Sequence, residues 1–296
     1  LDDPAVTRAI IRGAAPIEVF RGSERERTRV HFSCAEAIHA VLERWTGARL
    51  TGALDLVLDG AVRLHAWDAP LSAAGPLLIL ERLAGAPSTL DDLAAARVLS
   101  PGAADLLRLA LQRDLNILIH GRPAADLGAL LVALAGAVPP AASLTVLRRG
   151  SIWPIGHATL LDGHDPAAWP CAHRLAADWL VVDELAPADL PDLVALARHP
   201  GGGTLATLRA PTAESALQRL TAVFAATHAS GDLSAARSVV GGSFDAVVSV
   251  QRTSTNRLRV HAIAELRARG ELAELYAWRA DTAALEPTSV EPQVIR

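Results

Sequence analysis

Residues 115–135, LNILIHGRPAADLGALLVALA, place the strongest constraint on this chain. Positions 115–120 read as a buried strand, and from about Leu127 the chain reads as an apolar helix. A strand that opens through a loop into a helix is a frame in which backbone N–H groups can cradle a phosphate. A working loop of this kind has the pattern GxxxxGK[ST]. Gly121 opens it here, but Asp126 stands at the second glycine, Leu127 at the lysine and Gly128 at the serine or threonine. The frame of a nucleotide site is present without its phosphate chemistry.

Composition makes that conflict sharper. All 28 basic residues are arginine, so no lysine of this chain can reach a phosphate. A net charge of −4 and the lack of any basic stretch interleaved with aromatics argue against nucleic-acid binding. At 51% hydrophobic and 20% charged residues the chain is globular, and its 296 residues can form two ordinary domains. Cys34 and Cys171 are far apart, which is no disulfide framework, and a reducing compartment is expected. The chain opens at Leu1 without methionine, so a trimmed form or an engineered piece is expected. No secretory signal is visible, and the longest apolar helix, about 127–138, is too short to span a bilayer.

Residues 1–97 read as a small α+β domain. Strands are expected at 17–20, 29–32, 54–58, 62–67 and 77–80. Asp59-Gly60 is a hairpin signal, because both central residues of such a turn need φ > 0. Ser33 is the expected cap of a helix through Trp45, with Ile38, Val41, Leu42 and Trp45 on one face. Thr89 begins a short helix. A second domain is expected over 98–280, opened by the Ser100-Pro101 helix start. From there strands at 115–120, 144–147, 179–183 and 203–208 alternate with helices at 127–138, 188–198 and 213–228, which predicts a mostly parallel sheet. Strands at 244–251, 257–265 and 272–278 close it, and 281–296 is expected to be a loose tail.

The order of these elements, together with several local runs, resembles the type II/IV secretion ATPases. CpaF-like motors of tight-adherence (Flp/Tad) pili are the nearest in pattern. DLNILIHG resembles that family's strand into the phosphate loop, LDLVLDGAVRLHAW its N-domain hairpin, ADWLVVDEL its second acidic box and GGGTLATLRAP its histidine box. SFDAVVSVQR and RLRVHAIAEL resemble its closing strands. The resemblance implies an α/β fold with a RecA-like P-loop NTPase-type domain behind the small N-terminal domain. It also implies a ring-forming motor at the cytoplasmic face of a bacterial inner membrane, working with pilus or secretion platform proteins.

Position by position, most of the family's catalytic boxes are altered. Besides Asp126, Leu127 and Gly128, Arg148 and Arg149 stand where an acidic box is expected. Glu81 stands where the N-domain offers an arginine, and Arg209 replaces a histidine. Glu184 alone matches, as the carboxylate that would polarise water. One unit-charge pair at ~4 Å and an effective dielectric of ~20 is worth about 4 kcal/mol, so Asp126 near a phosphate is costly without a lysine to offset it. The expectation is a pseudo-ATPase with no cofactor, acting as a structural or regulatory subunit beside itself or an active homologue. The alternative is a slow ATPase that takes ATP and magnesium through Glu184. The reversed charges at Glu81, Asp126, Arg148 and Arg149 suggest pairing with one another. His164, Asp165, Cys171 and His173 include metal-ligand types, but their spacing fits no zinc signature and no metal is assigned.

Overall fold

The structure is a computed structural model that describes residues 3, 5–21, 24–47, 49–58, 62–72, 75–82, 89–122, 127–149, 155–197, 202–228, 231–253, 257–267 and 270–295. It divides into two compact units, Leu1–Ala86 and Pro87–Arg296. The division thus comes earlier than the expected 97/98. The reason is helix α2, Leu90–Ala95, whose Leu90 and Leu93 are buried in the core of the second unit.

Among its described residues the first unit is a six-stranded antiparallel sheet with one helix. Its strands are β1 (Arg8–Arg12), β2 (Glu18–Arg21), β3 (Glu24–Arg27), β4 (Ala53–Leu58), β5 (Val62–Trp67) and β6 (Leu77–Arg82), in the order β3-β2-β1-β6-β5-β4. Helix α1, Ala35–Thr46, buries Ile38 and Leu42 completely against Ile11, Leu64, Ala66 and Leu78. Its N-cap is Cys34, which makes no side-chain cap bond, so the expected Ser33 cap is not formed. Gly47 ends it at φ 74°, a left-handed turn that costs glycine little. The expected strand at 29–32 is absent. The chain instead forms β3 from ERER, a run with no apolar residue to signal it. The β4–β5 pairing is present with Leu58 opposite Val62, while Asp59-Gly60 lies outside the described residues.

The second unit is a nine-stranded sheet, β15-β14-β13-β12-β7-β11-β10-β8-β9. Strands β7 (Ile117–Gly121), β8 (Leu144–Arg148), β9 (Ala158–Asp162), β10 (Trp179–Val182), β11 (Gly203–Arg209) and β12 (Ala246–Arg252) are parallel. β13 (Leu258–Arg267), β14 (Glu271–Arg279) and β15 (Ala284–Pro287) follow antiparallel. Helices cover both faces. Ile117 and Ile119 face one side with α3 (Pro101–Gln112) and α4 (Leu127–Gly136). Leu118 faces the other with α5 (Ala168–Leu175), α6 (Leu190–Ala197), α7 (Ala213–Thr227) and α8 (Leu233–Gly241). Strands buried on both faces read as continuous apolar runs, which is why β7, β8 and β10 were legible.

Helices α2 and α3 start at side-chain caps. Thr89 and Asp92 exchange bonds of 3.0 and 3.1 Å in a capping box, and Ser100 Oγ accepts from Ala103 N–H ahead of Pro101. Gly202 and Gly203 let β11 enter beside β10. A Cβ on Gly202 would sit 1.6 Å from the Asp178 carbonyl, and one on Gly203 2.4 Å from the Trp179 ring.

The expected loose tail over 281–296 is replaced by β15 and by a docked end. Glu265, fully buried on β13, accepts the backbone N–H groups of Gln293, Val294 and Ile295 at 2.8–3.0 Å. Ile295 is buried in the core against the α3/α4 face. Among the described residues no helix is long and apolar enough to cross a membrane.

Candidate functional site

In a parallel sheet the carboxyl ends of the strands form the crevice where ligands bind. Register brings most of the sequence-predicted positions there. Gly121 ends β7 directly opposite Arg209 on β11, and Glu184 follows β10 on the other flank of β11. Arg149 follows β8 in the next loop. These positions form one row, although they are scattered over almost ninety residues of sequence.

Glu184 is held in an unusual way. Its φ is 59°, a left-handed conformation that a glutamate adopts only under constraint. Its N–H donates to Thr207 Oγ1 at 2.7 Å, and its carbonyl accepts from Arg149 Nη1 at 3.0 Å. Its carboxylate Oε1 accepts from Arg209 Nε at 2.9 Å and lies 2.8 Å from Nη2. Both side chains are about two-fifths exposed, so the pair contributes only about 0–1 kcal/mol to stability. Its effect is chemical, because it occupies one of the two oxygens that could accept a proton from water.

Arg149 acts as a bracket. Nε donates to the Gly163 carbonyl at 2.7 Å, Nη1 to the Glu184 carbonyl, and Nη1 also lies 2.8 Å from Asp189 Oδ2. One guanidinium therefore joins the loops after β8, β9 and β10. Arg148 lies exposed at the end of β8, in register with Asp162. The described partners of Arg149 and Glu81 lie within their own units. Arg149 pairs with Asp189. Glu81 in the first unit lies in register with Arg8 and Arg63 and is 3.9 Å from Arg8 Nη1. Asp126 lies outside the described residues.

Leu127 begins α4 and is only 2% exposed. Burying such a side chain stabilises by roughly 1.5–3 kcal/mol, so it belongs to the core and not to the crevice. Gly128 supplies no hydroxyl. A magnesium nucleotide needs a cation on its phosphates and an oxygen ligand on its metal. The described residues here supply neither in the expected places.

Sequence reasoning missed His120 and Ser249. His120 is buried at the end of β7, with Nε2 2.6 Å from Ser249 Oγ on β12 and Nδ1 3.3 Å from the Ala210 carbonyl. The carbonyl fixes the proton on Nδ1, so Nε2 accepts from the serine. Burial pushes the imidazole below its ordinary pKa. The only signal was a histidine ending an apolar run just before Gly121. In the metal-type group, His164 Nε2 faces the Arg149 carbonyl while His173 faces Asp192 on α6. Their side chains do not converge, and no metal-holding cluster occurs among the described residues.

A fold with a crevice of this type can be compared with known proteins. Solved structures of the ATPase DotB from Legionella pneumophila (TM-score 0.59, 10% identity) and Yersinia pseudotuberculosis (TM-score 0.61, 11%) each match 88% of this chain and about three quarters of theirs. The pilus retraction motor PilT with bound ADP matches 87% of this chain and 78% of its own (TM-score 0.59, 12%). The chain shares its fold with the ATPase DotB and the pilus retraction motor PilT. In sequence, a protein named for conjugal transfer in two strains of Mycobacterium tuberculosis is 27% identical, over 95% of this chain and 87% of its own length. No family model matches the chain.

Proposed function

We propose that this chain is a pseudo-ATPase of the secretion and pilus motor type. The observation that carries the reading is Leu127, a buried core side chain where a phosphate-binding lysine would be needed, in a chain without any lysine. The Arg209–Glu184 and Arg149–Asp189 pairs add to it, because each satisfies a charge within the crevice itself. On this reading the protein is CpaF-like and serves as a structural or regulatory subunit of a tight-adherence or type IV pilus apparatus. It works in a ring with itself or an active homologue, at the inner face of the bacterial inner membrane. Ring interfaces rest on packing and can persist when a catalytic site is lost. The similarity to a conjugal transfer protein and to pilus and Dot-type motors supports the general class of machine.

A second reading keeps the enzyme. Glu184 retains a strained backbone fixed from both sides by Thr207 and Arg149, and strain of this kind collects at working sites. The neighbouring folds are ATPases. Titration calorimetry with ATP and magnesium, with ADP as control, separates the two. The pseudo-ATPase reading expects no saturable heat up to millimolar nucleotide. Saturable magnesium-dependent binding, followed by hydrolysis that Glu184→Gln abolishes, would replace it with the slow ATPase.

A further inference from the structure

Among the described residues the sheet of the first unit ends on β3, whose four residues are all exposed. Thr28 N–H donates to the Ile17 carbonyl at 2.9 Å. Antiparallel alternation then turns the backbone N–H and C=O groups of Arg25 and Arg27 away from β2, along the open edge. Arg25 and Arg27 also share one face of the sheet, in register with Phe20 and Glu18. The Glu18 carboxylate is 1% exposed and gathers Arg12 at 2.6 Å, Arg25 at 2.5 Å and Arg27 at 3.7 Å. Three guanidiniums on one carboxylate leave a patch of net charge +2. The Arg25 and Arg27 side chains remain 58% and 68% exposed, with most of their N–H donors unspent. Glu24 and Glu26 occupy the opposite face, where Glu26 pairs with Arg21.

A second copy of this chain is a poor fit to the edge. Two-fold antiparallel pairing, with the axis normal to the sheet, sets residues of the same face opposite each other. Arginine would then meet arginine and glutamate would meet glutamate, and like charges directly opposite are destabilising.

We propose that β3 is a docking edge for an extended acidic segment of a partner protein. The segment adds as a seventh strand and sets carboxylates opposite Arg25 and Arg27. Backbone hydrogen bonds supply the attachment and the alternating side chains supply the selectivity. The inference does not depend on the nucleotide-site reading.

The probe is a short fluorescein-labelled peptide of alternating glutamate and threonine, titrated into the full chain and followed by anisotropy. Saturable binding is expected, and Arg27→Glu should weaken it by roughly tenfold or more, because it places like charges opposite each other. Arg27 decides the test, since it is the most exposed of the three arginines and the farthest from Glu18. A lysine–threonine peptide should bind the wild type more weakly than the acidic peptide and gain affinity for Arg27→Glu. N-methylating the acidic peptide's backbone should abolish binding, and amide exchange at Arg25 and Arg27 should slow only with the unmodified peptide. The proposal is overturned by absence of saturation, by equal binding of the N-methylated peptide, by indifference to Arg27→Glu, or by a DNA duplex binding as well as the peptide.

Discussion

Replacing Glu265 with glutamine tests how the end of the chain is held. Its carboxylate is fully buried on β13 and accepts N–H groups from Gln293, Val294 and Ile295, with Arg267 Nε 3.7 Å away. Hydrogen bonds to a charged group contribute roughly 1.5–3 kcal/mol each. Glutamine keeps one carbonyl oxygen that can serve two of the donors, but it turns an N–H₂ toward the third. The loss is one whole bond and about half the strength of the other two, about 3–6 kcal/mol. Chemical denaturation should show that deficit. Hydrogen exchange should show the amides of 293–295 opening, with Ile295 leaving the core it occupies. Acid should act in the same direction. Burial alone would raise the Glu265 carboxyl, but the three N–H donors outweigh it and hold the group below the usual range. A lowered folded pKa contributes stability that is complete above the unfolded value of about 4.3 and is lost as pH falls through the folded value. The wild type should therefore weaken in acid by a component that Glu265→Gln lacks. If the variant matches the wild type in denaturation midpoint and in exchange at 293–295, the clasp does not hold the end in place.

Two further outcomes follow from the crevice. Arg149→Ala leaves Asp189 without its ion-pair partner and two loop carbonyls without their donor, and should cost about 2–3 kcal/mol in denaturant unfolding while raising proteolytic cleavage near Gly163. His120 has a lowered folded pKa because it is buried, so its contribution is complete above the unfolded value of about 6.5 and falls as pH drops below it. Replacing His120 with glutamine should flatten that part of the stability–pH curve, and an unchanged slope between neutral pH and pH 5 would contradict the assignment.

The strand–helix alternation from Leu115 onward was legible because buried parallel strands leave long apolar runs. What stayed hidden had no such trace. β9 lies at a sheet edge and is largely exposed, α5 carries Pro170 inside it, and β3 is wholly charged. The docked end has no local signal either: 281–296 carries three carboxylates and two prolines. The residue that fixes it, Glu265, lies nearly thirty positions upstream. At the crevice, reversed charges at Arg148 and Arg149 could be read from the sequence. The partner of Arg149 could not, because Asp189 reaches it from a turn beyond β10 that only the three-dimensional register brings close. The His120–Ser249 contact joins strands that are adjacent in the sheet but far apart in the chain, and no local pattern announces it.

The place of β7 in the sheet bears on how the protein is made. β7 is the first strand of its sheet to leave the ribosome, yet it lies between β11 and β12, and its core residues Ile117, Leu118 and Ile119 are completely enclosed in the finished fold. About 125 residues separate Gly121 from Ala246 at the start of β12. At ~5–20 residues per second one flank of β7 waits roughly 6–25 s for its neighbour. A nascent chain halted inside that interval presents an apolar edge with nothing beside it, which makes this the stretch of synthesis where a chaperone has most to protect.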